Sequence, residues 1–212
     1  MFQSYYLYIA LLPSVILHEV SHGWVANQCG DPTAKDAKRL TLNPFAHIDP
    51  FGTILLPGIL IALHFPPFGY AKPVPVNVSR LRKPRQQSLY VSLAGPLVNI
   101  ILSGIGLVIC DQAVTNFEGQ VLITNNLLFN IGFALGLANL LLAAFNLLPI
   151  PPLDGSAVIE RFVPNKHLGT YYHYRARALP LVLLFVFLSE YVFHFGSNAL
   201  GGLENWWIGL IR

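Results

Sequence analysis

Two histidines, His18 and His22, stand four residues apart with Glu19 between them, in the run His18-Glu19-Val20-Ser21-His22. On a helix, positions i and i+4 share a face, with Cβ atoms roughly 5–6 Å apart. Two imidazoles so placed can reach one zinc at about 2.0–2.1 Å. Glu19 is then placed to take a proton from a water held on that metal. The motif lies in an apolar stretch running from about Tyr5 to Cys29. Ionisable groups in an apolar membrane segment are costly and as a rule functional. The chemistry within reach of these residues is metal-assisted hydrolysis.

A catalytic zinc commonly takes three protein ligands and keeps one position for water. The third ligand must be a His, Asp, Glu or Cys from elsewhere. Asp154 is the best candidate, in Asn146-Leu147-Leu148-Pro149-Ile150-Pro151-Pro152-Leu153-Asp154-Gly155. Pro149 removes a backbone N–H and crowds the carbonyl of Phe145, and Pro151 and Pro152 keep a helix from resuming. Gly155 permits a tight turn. Such an unwound piece can swing a carboxylate toward the first helix. Taken alone, Asp154 reads as a solvent-facing turn residue; the two histidines change that. His47 and Asp49 could touch a metal, although a loop histidine is more often a turn or surface residue. Asn99, in Gly95-Pro96-Leu97-Val98-Asn99, reads as a packing residue whose amide bonds across a helix interface, beside a glycine that lets helices approach. Cys29 and Cys110 read as small apolar residues.

The elements that must position these groups follow from composition. Of 212 residues, 54% are apolar and only 11% charged, with mean hydropathy +0.54. Soluble domains carry about 25% charged residues. The chain is therefore expected to be an all-α polytopic membrane protein in contact with the lipid bilayer. It reads as a single domain over 1–212, with a core at 5–160 and an accessory C-terminal helix and tail at 161–212. The net charge of +3 is unremarkable, and no nucleic-acid partner is expected. The N-terminus lacks a basic leader and does not read as a removable signal peptide.

Five segments can enter the bilayer: 5–29, 51–64, 87–110, 126–148 and 178–195. The tail with Trp206 and Trp207 reads as an interfacial anchor or a short sixth segment. Segment 51–64 reaches roughly 21 Å as a helix, against about 30 Å of hydrocarbon. Lys and Arg gather in the 30–50, 65–86 and 155–177 loops, and the 111–125 loop has none. The positive-inside rule then puts the first three loops in the cytoplasm and makes 51–64 re-entrant or interfacial. Residues 65–85 read as a structured loop containing a small extended or β element near 70–78.

His18-Glu19-Val20-Ser21-His22 on a membrane helix, Ala94-Gly95-Pro96-Leu97-Val98-Asn99 on a later one, and Asn146 to Gly155 ending the next resemble the site-2 protease family of intramembrane zinc metalloproteases. Gly30-Asp31-Pro32-Thr33-Ala34, Asn43-Pro44-Phe45 and Ala71-Lys72-Pro73-Val74-Pro75-Val76-Asn77 are similar to its compact bacterial branch. The resemblance covers most of residues 14–160. It implies zinc held by His18, His22 and Asp154, Glu19 as the catalytic acid/base, and Asn146 as a polar group near the site, able to stabilise an oxyanion. It implies transmembrane protein substrates and a bacterial inner-membrane location with the site toward the cytoplasm. Larger bacterial members carry a PDZ domain, for which this chain is expected to have no room.

A helical substrate must unwind before cleavage. Pro73 and Pro75 lack N–H groups, so one edge of an extended 72–76 segment is blunted. The other edge, with the N–H groups of Lys72, Val74 and Val76, is expected to bind substrate by strand addition. The rival reading is a membrane metal-ion transporter using the same His/Asp site. It would need further acidic or His residues along several helices, and the third segment has none between Gln87 and Cys110. The substrate, its trigger and the oligomeric state are not written in the sequence.

Overall fold

The computed structural model describes residues 5–62, 71–117, 120–178 and 195–211. Among the described residues, three helices are long and apolar enough to cross a membrane, which makes this a multi-pass membrane protein. They are α1 (Tyr5–Gln28), α4 (Pro84–Gln112) and α5 (Asn126–Asn146). Between α1 and α4 lie the short helices α2 (Thr33–Asp36) and α3 (Leu56–Ala62), and beyond α5 lie α6 (Ser156–Glu160) and α7 (Leu168–Arg177). The expected fifth span near 178–195, including Glu190, falls almost wholly outside the described residues, as does His64.

Two compact units emerge, one of 15–95 and one of 1–14 with 96–212. In the first, α1 ends where its sequence changes character. Gly30 takes φ +108°, and the N–H groups of Gly30 and Asp31 return to the carbonyls of Asn27 and Ala26. This is the double hydrogen bond of a glycine-closed helix end. Ala26, Leu81 and Val91 form the local core. Asp49 accepts from the N–H groups of Phe51 and Gly52 and so starts a wide helical turn, Pro50–Leu55, that runs on into α3. Within the described residues these elements reach roughly 20 Å at 1.5 Å per residue.

Residues 71–77 form neither helix nor strand, so of the extended or β element expected near 70–78 the β alternative is corrected. The physical reason lies in the donors. The N–H groups of Lys72, Val74 and Asn77 go to the His47 carbonyl, the Glu19 side chain and the Asp31 side chain, and not to a neighbouring strand. The sheet lies instead in the loop after α4, where β1 (Val114–Phe117) pairs antiparallel with β2 (Gln120–Ile123).

In the second unit, α4 and α5 meet backbone to backbone. A Cβ on Gly106 would lie 2.5 Å from the Gly136 Cα, and one on Gly132 would lie 2.9 Å from the Cys110 nitrogen. Gly132 and Gly136 stand four apart, the small-residue spacing that membrane helices use for close approach. Trp207 fills the space over Gly136 and packs edge-to-face on Phe133 at 5.8 Å. It is 2% exposed, in a core with Cys110, Phe133 and Leu137. The tail tryptophans therefore split: Trp207 is core, and Trp206 alone remains exposed.

Three buried polar residues join the helices of this unit. Asn99 donates to the Asn139 Oδ1 at 2.7 Å, and Asn139 donates to the Ser14 Oγ at 2.8 Å. The cross-interface amide read from the sequence at Asn99 is thus present. Asn139→Leu removes both links while leaving Ser14 and Asn99 buried. A loss of about 1–3 kcal/mol is expected, read as a lowered unfolding midpoint in detergent. Beyond α5, Glu160 is 2% exposed and pairs with Arg175 at 3.1 Å, while Tyr172 donates to it at 2.6 Å. Burial and that carboxylate push the Tyr172 phenol well above its ordinary value.

Candidate metal centre

His18 and His22 occupy successive turns of α1 with Glu19 directly after His18, and His18 is 6% exposed. The two Nε2 atoms lie 3.1 Å apart. Two ligands of a tetrahedral zinc at 2.0–2.1 Å stand about 3.3 Å from each other, so the pair is already close to ligand spacing. The His22 ring is oriented from α4, where the Val91 carbonyl accepts from its Nδ1 at 2.6 Å. That bond puts the proton on Nδ1 and leaves Nε2 as a lone-pair donor, the usual arrangement behind a metal-ligating histidine.

One turn beyond Val91, Gly95 lies against both rings. A Cβ there would stand 2.5 Å from the His18 Cε1 and from the His22 Nε2, and 2.6 Å from the His18 Nε2. Bare backbone is what lets the two imidazoles face a common point. Gly95 lets two helices approach, as expected, and what it makes room for on α1 is the pair of histidines. A glycine inside an otherwise regular helix costs about 1 kcal/mol relative to alanine, and that cost was the signal available for finding it.

Asp154 is carried on the unwound stretch after α5. The Gly155 N–H bonds the Asn146 carbonyl at 2.7 Å, and the Leu153 N–H bonds that of Ile150. Gly155 lies in the expected turn, with ordinary helical angles of φ −57° and ψ −20°. A Cβ at this position would strike the Leu147 carbonyl, and close approach is the reason for glycine. Candidate ligand atoms of His18, His22 and Asp154 all lie within 4.8 Å of one another. One cation fits that set of two imidazoles and a carboxylate.

Glu19 does not join the ligand group. Its Oε2 accepts the backbone N–H of Val74 at 2.9 Å. The Lys72 N–H is likewise used, by the His47 carbonyl at 2.9 Å. Two of the donors expected to receive substrate therefore serve the protein itself. The Asn146 side-chain amide donates to the Leu142 carbonyl of its own helix at 3.0 Å. His47 is buried with its Nε2 2.9 Å from the Thr41 carbonyl, and Asp49 caps the turn described above. Asp31, in the Gly30-Asp31-Pro32-Thr33-Ala34 motif, is fully buried. Burial works against its charge, but hydrogen bonds from Thr33 and Asn77, with Arg80 nearby, outweigh it and hold the carboxyl below its ordinary value.

A family model described as "Peptidase family M50" matches residues 6–188. The chain belongs to Peptidase family M50. This is the site-2 protease family anticipated from the motifs. YwhC of Bacillus subtilis (strain 168) is 47% identical over 163 residues, covering 75% of this chain and 69% of YwhC. Rip2 of Mycolicibacterium smegmatis is 33% identical over 153 residues, covering 70% of this chain and 54% of Rip2. Both bear the name "Putative zinc metalloprotease". "Zinc metalloprotease MJ0392" of Methanocaldococcus jannaschii is 27% identical over 161 residues, covering 76% of this chain but only 35% of that protein. The M50 match thus spans about half or less of the two longer relatives. No solved structure gives a significant match.

Proposed function

We propose that this M50 chain is an intramembrane zinc endopeptidase that cleaves transmembrane or membrane-proximal segments of other proteins. The observation that carries the reading is the grouping of His18, His22 and Asp154 beside Glu19 on an apolar helix. In it, His18 and His22 offer Nε2, and Asp154 offers a carboxylate oxygen that balances part of the cation's charge. Zinc held there supplies Lewis acidity toward water and the scissile carbonyl. Glu19 takes the proton from water and returns it to the leaving amine. Val91 and Gly95 keep the imidazoles aimed, the first by a hydrogen bond and the second by having no side chain. Asn146 retains a side-chain carbonyl and a second N–H while bonded to Leu142, and it is proposed as a polar neighbour of the reacting carbonyl.

The whole of 1–212 is proposed to act as one protease domain. The basic loops at 30–50, 65–86 and 155–177 support a cytoplasmic orientation of the site, in a bacterial inner membrane. Asp154→Asn tests the ligand set. Outer contacts of zinc ligands are each worth 10–100-fold in affinity, so loss of the carboxylate charge is expected to weaken zinc at least about 100-fold, measured by competition with a chromogenic chelator in detergent. Affinity equal to wild type would remove Asp154 from the site.

A further inference from the structure

Asp31 has no part in the chemistry above, yet it is a completely buried carboxylate. Burying a charge is costly unless its oxygens are satisfied. Its Oδ1 accepts from the Thr33 hydroxyl and, at 3.0 Å, from the Thr33 N–H. Its Oδ2 accepts from the backbone N–H of Asn77 at 2.6 Å, a residue 46 positions away. Asn77 closes the segment that begins at Lys72.

That segment is stiff. Pro73 and Pro75 fix their own φ near −65° and hold Lys72 and Val74 extended. Its start is held by the Lys72 N–H on the His47 carbonyl and by Arg39, which donates to the Lys72 carbonyl at 2.8 Å. Its end is held by Asp31. Between these anchors the Val74 side chain, 7% exposed, sits in the notch left by Gly23, where a Cβ would lie 2.6 Å from the Val74 Cγ1. From the same residue the backbone N–H reaches the Glu19 Oε2.

We propose that Asp31 is a positioning residue for Glu19: by gripping the Asn77 N–H it fixes the 72–77 rod, whose Val74 N–H holds one oxygen of Glu19 and leaves the other for water. This rests on the reading of Glu19 as the acid/base. A glutamate on a helix face has several staggered rotamers. A backbone donor selects one of them without bringing a side chain that would compete for the cation and without titrating. Geometry of this kind is where catalytic power is lost when support fails; a misplacement of about 1 Å can cost on the order of 10²-fold.

The test compares wild type, Asp31→Asn and Asp31→Ala in detergent by amide hydrogen exchange over 71–78, zinc content, and kinetics on a single-span substrate. Exchange at the Val74 amide is expected to rise about 10-fold or more in Asp31→Ala. Its kcat is expected to fall about 10-fold, with KM within about twofold of wild type and zinc content unchanged. Asp31→Asn keeps one acceptor oxygen and is expected to fall between. Should Asp31→Ala not accumulate as folded protein, Asp31→Asn carries the comparison. Unchanged exchange at Val74, an unchanged or raised kcat, or zinc loss in step with activity would each overturn the proposal. A wild type that holds zinc but cleaves nothing would sink the protease reading instead, and exchange at Val74 would still decide whether Asp31 anchors the rod.

Discussion

Glu19→Gln is expected to keep its zinc and to lose between about 10²- and 10⁴-fold in kcat. The substitution preserves size and shape, and the amide oxygen can still accept from the Val74 N–H that Glu19 holds at 2.9 Å. Glu19 is outside the proposed ligand group of His18, His22 and Asp154. What disappears is the ability to take a proton from water and return it to a leaving nitrogen. Elemental analysis of purified protein and cleavage of a panel of single-span substrates are the measurements. The same pair of proteins separates the two functional classes weighed from the sequence. Cation flux into vesicles that survives Glu19→Gln would favour the transporter. Substrate cleavage at the wild-type rate would remove Glu19 from the chemistry.

Gly95→Ala is expected to abolish metal binding while leaving α4 intact. Alanine is the better helix former by about 1 kcal/mol, so local propensity alone predicts a more stable protein. The added methyl group would lie 2.5–2.6 Å from ring atoms of both histidines. Neither ring can retreat freely: His22 is tethered to the Val91 carbonyl, and His18 is buried. The imidazoles must rotate away from their common point, or α4 must move off α1. Zinc content near zero, with helical circular dichroism unchanged and no cleavage, is the expected result. Stoichiometric zinc in this variant would show that the histidines do not face the cation from beneath Gly95.

Much of this site was legible because its chemistry is written in local spacing. Two histidines four apart, with a glutamate between them in an apolar run, specify a helix face with no tertiary knowledge. The proline cluster after Asn146 specifies an unwound stretch by removing donors. The three long helices were readable for the same reason, since apolar length alone decides them. What stayed hidden depends on which distant groups meet. Gly95 looks like any packing glycine until the rings beneath it are seen. Asp31 looks like a turn aspartate until Asn77 arrives from 46 residues away. The 72–76 edge was read as open because alternation reveals which N–H groups share a side but not what already occupies them. The β hairpin at 114–123 was missed because that stretch was read only for its lack of Lys and Arg, although Val114, Thr115, Phe117, Val121 and Ile123 favour strands.

The glycine contact between α4 and α5 bears on how a substrate arrives. Where Gly106 meets Gly132 and Gly136, main chains touch with no side chains between them. Neither helix can slide or part there without opening a void that lipid tails cannot fill neatly. If the chain cleaves membrane segments as proposed, a substrate entering along this seam would first have to part main chains that already touch.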